Sequence, residues 1–244
     1  MLIDGKSVFY RGYYAMGALS LADGTPTGGI YGFASIATEI VKNLSPDKVV
    51  VAWDSKTSAN KRKELYPDYK AGRVKPGDDF YAQIPLLQEM IKAFGWEFVE
   101  CDNYEADDII GTLAKQAAAQ GTEVIIVSGD KDLTQLATDD VTVYITRKGI
   151  TDIEKYTPAH IEEKYGLTPA QIIDMKGLMG DQSDNIPGVP GVGEKTAIKL
   201  LKEHGTVEGL YEVIDSLKAS KMKEKLVEKL RGKELEDYLG KLFQ

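Results

Sequence analysis

Residues 104–108 read YEADD and run straight into IIGTLAKQAAA, so Glu105, Asp107 and Asp108 crowd the mouth of a helix. Acids there can be purely structural, because the first helical turn offers unpaired N–H groups and a partial positive charge. The same density of carboxylates can also coordinate a hard divalent cation, which takes oxygen ligands. Acids recur at comparable places: Asp4 after MLI, Asp54 after VVVAW, and Asp130 and Asp132 after VIIVSG. Asp181 and Asp184 in GDQSDN are three apart, so on a helical turn they would point the same way; a polar loop with an Asp-based turn explains them equally. Without these nine carboxylates the formal charge of −8 would become +1. The acidity is thus a concentrated pocket, and the remaining surface need not repel nucleic acid.

The elements that must position these acids follow from periodicity. Strands are predicted at Leu2–Ile3, Val49–Trp53, Trp96–Val99, Val124–Val127 and Val141–Ile145, with helices over about 29–43, 79–94 and 108–120. Apolar strands such as VVVAW and VIIV, alternating with amphipathic helices, predict an α/β fold with a mostly parallel sheet flanked by helices. Ligands of such sheets bind just beyond the carboxyl ends of the strands. Four strands deliver acids to that edge, and their repulsion calls for a cation among them, Mg²⁺ or Mn²⁺. One cysteine, Cys101, and two histidines, His160 and His204, do not make a Cys/His zinc site. The histidines read as structural.

A chain of 244 residues with 43% hydrophobic and 28% charged residues fits one large globular domain or a domain with an appendage. No apolar run approaches the ~20 residues of a membrane span. MLIDGKS lacks the pattern of a secretory signal, and a lone cysteine fits a reducing cytoplasm. The expectation is a cytoplasmic protein without a membrane partner.

The stretch 56–77, KTSANKRKELYPDYKAGRVKPG, carries Lys56, Lys61, Arg62, Lys63, Lys70, Arg73 and Lys75 against Glu64 and Asp68, with Tyr66 and Tyr69 interleaved. It leaves the predicted sheet directly after Asp54. An exposed solvated helix is one reading; the other is a single-stranded nucleic-acid contact, cations on phosphates and rings on base faces. Further on, IPGVPGVGEKTAIKLLKEHG (186–205) is a glycine–proline turn between helices at about 169–179 and 194–204. It is no nucleotide-binding P-loop, since Glu194 separates Gly193 from Lys195 and no strand precedes it. Its backbone N–H groups could grip a duplex phosphate without reading sequence. Alternatively, the glycines serve only the conformation of a helical hairpin.

In order, LIDG, ELYPDYKAGR, YEADD, SGDKDLTQL and GDQSDNIPGVPGVGEKTA resemble the 5′-nuclease domain of bacterial DNA polymerase I, and more widely the flap endonuclease family. The likeness runs from residue 2 to about 217, and five ordered motifs do not agree by chance. It implies an α/β nuclease domain at 1–155 with a helical arch at about 56–77. A helical DNA-binding region at 156–244 would contain a helix–three-turn–helix element around 188–193. It further implies Mg²⁺-dependent two-metal-ion cleavage of 5′ ends and 5′ flaps of branched DNA in replication and repair, without sequence specificity. By that resemblance Asp54, Glu105, Asp107 and Asp108, with Asp4 close by, form one metal cluster, and Asp130, Asp132, Asp181 and Asp184 a second. Lys70 and Arg73 match basic residues over the scissile phosphate, Tyr69 an aromatic at the mouth of the site, and Arg11 a basic residue near it. Lys61, Arg62 and Lys63 on the arch, and Gly188, Gly191, Gly193, Lys195 and Thr196 at the turn, would contact DNA. The turn could also hold K⁺ through carbonyl oxygens.

Two departures stand out. Lys6 replaces the asparagine usual in polymerase I domains, where it could touch a phosphate or compete with a metal. The chain also stops at Gln244, short of the family domain, as expected of a free-standing nuclease or an excised fragment, monomeric, with a polymerase as a candidate partner. Rival readings are a nuclease of RNA or RNA–DNA hybrids, a phosphatase on a similar sheet, and a non-catalytic binder of branched DNA. The clustered acids oppose the last, and the glycine turn opposes a phosphatase.

Overall fold

Three residues make the shortest strand of the main sheet, β1 (Leu2–Asp4), and all three are buried. They are buried because β1 lies inside a six-stranded sheet. In this computed structural model, which describes residues 1–147 and 152–213, β1 is followed by α1 (Gly5–Ala15), α2 (Gly28–Leu44), β2 (Val50–Trp53), α3 (Asn60–Leu65), α4 (Asp78–Ala82), α5 (Ile84–Ala93) and β3 (Glu97–Glu100). Then come α6 (Ala106–Ala118), β4 (Val124–Ser128), a 3₁₀ turn (Lys131–Leu136), β5 (Val141–Thr146), β6 (Ile153–Tyr156), α7 (Pro158–Tyr165) and α8 (Gln171–Met179). A short hairpin, β7 (Gly180–Asp181) and β8 (Ile186–Pro187), leads to α9 (Glu194–His204) and α10 (Val207–Val213). Two compact units result: residues 1–58 with 74–157, and 59–73 with 158–244, the latter described to Val213.

In the first unit the strand order is β3-β2-β1-β4-β5-β6. Every pairing from β3 to β5 is parallel, with Ile3 opposite both Val51 and Val127. The mostly parallel α/β sheet expected from periodicity is the sheet observed. β6 adds an antiparallel edge that periodicity did not show. Its sequence, IEKY, is half charged and too short to alternate legibly, as suits an edge strand. The predicted helix over 79–94 is two helices, α4 and α5, parted at Gln83. Pro85 has no N–H to continue the ladder, so it starts a new helix rather than extending the old one. Gln83 is buried, and its Oε1 accepts from the N–H groups of Gly29 (2.8 Å) and Ile30 (3.4 Å), serving the start of α2, whose own N-cap Thr27 makes no side-chain cap.

The face of the sheet carrying α1 and α2 is packed by Phe9, Phe33, Phe80, Ile36, Ile3 and Val51, all fully buried. Each contributes about 1.5–3 kcal/mol of transfer free energy. The helices approach closely: a Cβ on Gly32 would sit 2.2 Å from the Cα of Gly12. No rotamer change can relieve a clash with backbone. Gly32→Ala is therefore expected to cost about 3 kcal/mol, the upper range for overpacking, read as a lowered urea midpoint with unchanged slope. Because β1 feeds α1 without a loop, this crossing also fixes the direction in which Asp4 leaves the sheet.

Candidate functional site

The sheet reverses its winding at β1: the chain steps from β1 to β2 and β3 on one side, and β4 then pairs on the other. A crevice forms beyond the carboxyl ends of the strands at such a point. Asp4, the last residue of β1, caps α1, its Oδ1 accepting from Ser7 N–H at 3.1 Å. Its Oδ2 accepts from the Ser128 hydroxyl at 2.6 Å. That hydroxyl in turn accepts from the N–H of Asp130 at 2.9 Å, and Gly129 N–H donates to Ser7 Oγ at 2.9 Å. Two serines thus stitch the ends of β1 and β4 together. Asp130 Oδ1 accepts from Asp132 N–H at 2.9 Å and opens the 3₁₀ turn.

Asp54 leaves β2 beside them. Its Oδ1 accepts from Ala106 N–H, the first residue of α6, at 2.8 Å, and its Oδ2 faces Lys6 Nζ at 3.2 Å. Glu105 and Asp108 form a reciprocal capping box on α6, with Glu105 N–H donating to Asp108 Oδ2 at 2.8 Å. The structural explanation of YEADD therefore holds for these two acids. Asp107 lies half-buried in the same first turn.

The electrostatics show the acids facing one another. Burial, and then the charges of Asp54 and Asp130, push the Asp4 carboxyl up to about 6 against the hydrogen bonds from Ser128 and Ser7. Glu100 is raised by burial first and then by Asp102 and Asp54. Glu100 and Asp102 were not singled out in the sequence, although Glu100 ends β3 and the strand-end rule applied strictly would have marked it. Among the described residues no group of three Asp, Glu, His or Cys side chains is arranged to hold a metal ion. Asp4, Asp54, Glu105, Asp108 and Asp130 are each turned to a backbone N–H, a hydroxyl or an ammonium. The donor set nevertheless suits a hard divalent cation: it is all oxygen, and its members repel one another. Arg11, on α1, reaches the Gly129 turn, its Nη2 3.6 Å from where a Cβ on that glycine would be. Burial depresses its guanidinium, and Asp152 opposes that.

In the second unit, Asp181 and Asp184 sit on the β7–β8 hairpin and are differently held. Burial alone would raise Asp181, but hydrogen bonds from Lys176 Nζ (2.7 Å) and Ser183 bring it down to about 2. Asp184 is gripped by the 59–73 segment. It accepts from the Tyr69 hydroxyl at 3.0 Å and from Arg73 Nη2, and Lys70 Nζ lies 3.9 Å away. The backbone repeats the pattern: Lys70 N–H donates to Asp184 O at 2.9 Å, Arg73 Nε to Ser183 O at 3.1 Å, and Asn185 Nδ2 to Asp68 O at 2.8 Å. Lys70 adopts a left-handed φ of 58°, a conformation that costs a non-glycine residue energy and needs such support. Tyr69 is buried at 3% exposure beneath the Lys70 ammonium, so its ring is covered rather than open to a base face. The basic segment holds a six-residue helix, α3, with no buried residue; Lys61, Arg62 and Lys63 ride on it.

The glycine turn divides by residue. A Cβ on Gly188 would lie 2.1 Å from Met179 C, so this glycine answers a packing need. Gly191 has φ 87°, a conformational need. Gly193 has neither: it is extended, and open space lies where a Cβ would go. It precedes α9, has no side-chain cap, and accepts from Thr196 N–H at 3.0 Å, while Lys195 is exposed in the first turn. His160 lies 3.7 Å from Glu163 on α7 and His204 3.8 Å from Glu203 on α9, both within the second unit. The end segment SKMKEKLVEKLRGKELEDYLGKLF (220–243), whose sequence reads as one or two amphipathic helices, lies outside the described residues.

Residues 1–166 match the family described as 5′-3′ exonuclease, N-terminal resolvase-like domain, and residues 167–243 that described as 5′-3′ exonuclease, C-terminal SAM fold. DNA polymerase I of Bacillus subtilis (strain 168) is 55% identical over 229 residues, covering 93% of this chain and 26% of that protein. DNA polymerase I of Streptococcus pneumoniae (strain ATCC BAA-255 / R6) is 49% identical over 232 residues, covering 93% and 26%. The chain spans about a quarter of the length of these curated relatives. Among solved structures, the T5 5′-exonuclease with bound zinc superposes with a TM-score of 0.77 at 24% identity, over 98% of this chain and 87% of that one. The catalytic core of Rad2 in complex with DNA substrate gives 0.59 at 21%, over 94% and 70%. At those identities the superpositions speak for the fold.

Proposed function

Since this chain belongs to the 5′-3′ exonuclease family, and so to the hydrolases of phosphodiester bonds, we propose that it acts on 5′ ends and 5′ flaps of branched DNA in replication and repair. Its expected cofactor is Mg²⁺, with Mn²⁺ as a substitute. The observation that carries this reading is the meeting of Asp4, Asp54 and Asp130 at the winding reversal of the sheet, where burial first, and then the charges of Asp54 and Asp130, raise Asp4. Acids from three separate strands gain nothing structurally from facing one another, and a bound divalent cation removes the penalty.

When bound, a pair of such cations activates the attacking water and neutralises the leaving 3′ oxygen. Asp4, Asp54, Glu105, Asp107, Asp108, Asp130 and Asp132 are the proposed oxygen donors, and Asp181 and Asp184 supply more. Glu105 and Asp108 contribute by giving up part of the capping box, at a cost of about 1 kcal/mol. Ser7 and Ser128 hold Asp4 and the 128–132 turn in place, so those ligands need little reorganisation. Lys70 and Arg73 offset the charge that grows on the phosphoryl oxygens, and Tyr69 holds the segment carrying them. Arg11, Lys61, Arg62 and Lys63 bind backbone phosphates. So do Lys195, Thr196 and the turn through Gly188, Gly191 and Gly193, where the α9 N-terminus favours an anion. Carbonyl oxygens of the same turn are the proposed seat of K⁺. The protein is proposed to act as a monomer in the cytoplasm, in concert with a DNA polymerase.

One assay tests the reading: a 5′-labelled DNA flap, the same flap in RNA and a simple phosphoester, each with Mg²⁺ and with a chelator. Cleavage of the DNA flap with Mg²⁺ and none with chelator is expected. Faster cutting of the RNA flap would redirect the assignment to RNA. Tight binding without cutting under any metal would make this chain a binder of branched DNA.

A further inference from the structure

Lys6 has no part in the chemistry proposed above, yet it is placed at the centre of the acidic edge. It lies in the first turn of α1, two residues after Asp4, and its Nζ is 3.2 Å from Oδ2 of Asp54. The other oxygen of that carboxylate accepts from Ala106 N–H at 2.8 Å, so Asp54 is fixed from both sides. The pair is partly withdrawn from water, with 35% of the Lys6 side chain and 17% of the Asp54 side chain exposed. β1 and β2 run in register with Asp4 opposite Ala52, which puts the ammonium between the ends of two acid-bearing strands.

We propose that Lys6 is a built-in counter-cation of this edge, which holds Asp54 before a divalent ion binds and competes with that ion for the carboxylate. The inference rests on the edge being a divalent-cation site. A divalent ion arriving at Asp54 faces two outcomes. Either it displaces the ammonium, forfeiting the Lys6–Asp54 pair, or it shares the carboxylate and lies within a few ångströms of another positive charge. Both weaken loading relative to a chain without the lysine. When no metal is present, the same fixed cation screens acids that otherwise repel and so steadies the edge. Lysine suits this role because its four-carbon stem can swing away, whereas a guanidinium would clamp the carboxylate in a fork. Lys6 is thus a positioning residue, acting through Asp54, and it sets the metal concentration at which the protein loads.

The test compares the parent protein with Lys6→Met, Lys6→Gln, Lys6→Arg and Asp54→Asn. Mn²⁺ affinity is read by electron paramagnetic resonance, and thermal melting is followed with chelator and with Mn²⁺. Lys6→Met and Lys6→Gln are expected to bind Mn²⁺ about threefold to tenfold more tightly, the scale of a partly exposed pair acting on a doubly charged ion. Both should melt lower in chelator and gain more from Mn²⁺ than the parent does. Lys6→Arg, which keeps the charge and grips the carboxylate in a fork, should bind Mn²⁺ no more tightly than the parent. Unchanged or weaker Mn²⁺ affinity in Lys6→Met and Lys6→Gln, with the parent binding normally, overturns the role of Lys6 alone. A parent that binds no Mn²⁺, and melts like Asp54→Asn under both conditions, overturns the metal reading of the edge and this inference with it.

Discussion

Asp130→Asn is expected to lower Mg²⁺-dependent cleavage of a 5′ flap by about a thousandfold or more, while affinity for the flap in low-salt buffer with chelator stays within about twofold. The substitution removes one negative charge and changes almost nothing else. The asparagine side chain would retain an oxygen to accept from Asp132 N–H, and the Ser128 hydroxyl binds the backbone N–H of residue 130 rather than its side chain. The 3₁₀ turn therefore keeps its start. In chelator the variant should melt no lower than the parent, because Asp130 is one of the charges that repel Asp4. Single-turnover cleavage of a 5′-labelled flap gives the first measurement and a gel shift the second. Full cleavage by the variant would remove Asp130 from the metal site; a parallel loss of binding would make it a docking residue.

Much of that site could be read before any coordinates. Val50–Trp53 and Val124–Ser128 are nearly all apolar, which only burial on both faces accommodates, and the residues at or just past the end of each strand had to lie at the ligand edge. Asp4, Asp54 and Asp130 were legible by that rule. So was the structural side of YEADD, which the capping box bears out for Glu105 and Asp108. What a strand-end rule cannot give is the partner of each acid. Ser128 meets Asp4 across 124 positions, and Tyr69 meets Asp184 across 115. A serine and a tyrosine carry no periodic signal that announces such contacts, and the pairing depends on strand order, which no local pattern encodes. α1 escaped notice for a related reason: GKSVFYRGYYA has two glycines and four aromatics, poor helix formers singly, and it is helical because Phe9 packs between Trp53 and Phe80. Tertiary packing overrides propensity there.

The arch segment shows the limit from the other side. Its composition, seven cations and two tyrosines over 56–77, reads as a nucleic-acid contact open to solvent. In the structure part of it is occupied within its own unit: Asp184 takes the Tyr69 hydroxyl, the Arg73 guanidinium and the Lys70 N–H. Composition gives the charge of a segment but not the acids it has already met.

That occupation shapes the second large effect. Lys70→Ala should slow single-turnover cleavage by about a hundredfold to a thousandfold, with flap affinity reduced no more than about threefold. Its ammonium is 3.9 Å from the Asp184 carboxylate, at the outer limit of an ion pair, whereas Tyr69 and Arg73 make direct hydrogen bonds to the same group. Removing Lys70 thus leaves Asp184 held and the segment in place, so little stability is lost. The Lys70 N–H bond to Asp184 O survives, being backbone. The left-handed φ of 58° costs alanine about what it costs lysine, and Lys70→Gly separates the two effects: it relieves the backbone while also deleting the charge. If the charge acts on the phosphoryl oxygens as they gain electron density, alanine and glycine should be equally slow and Lys70→Arg should recover part of the rate. If the ammonium only docks the strand, binding falls with rate unchanged at saturation, and added salt abolishes the difference between parent and variant. A rate loss repaired by glycine but not by arginine would assign the effect to the backbone of residue 70 and take Lys70 out of the chemistry.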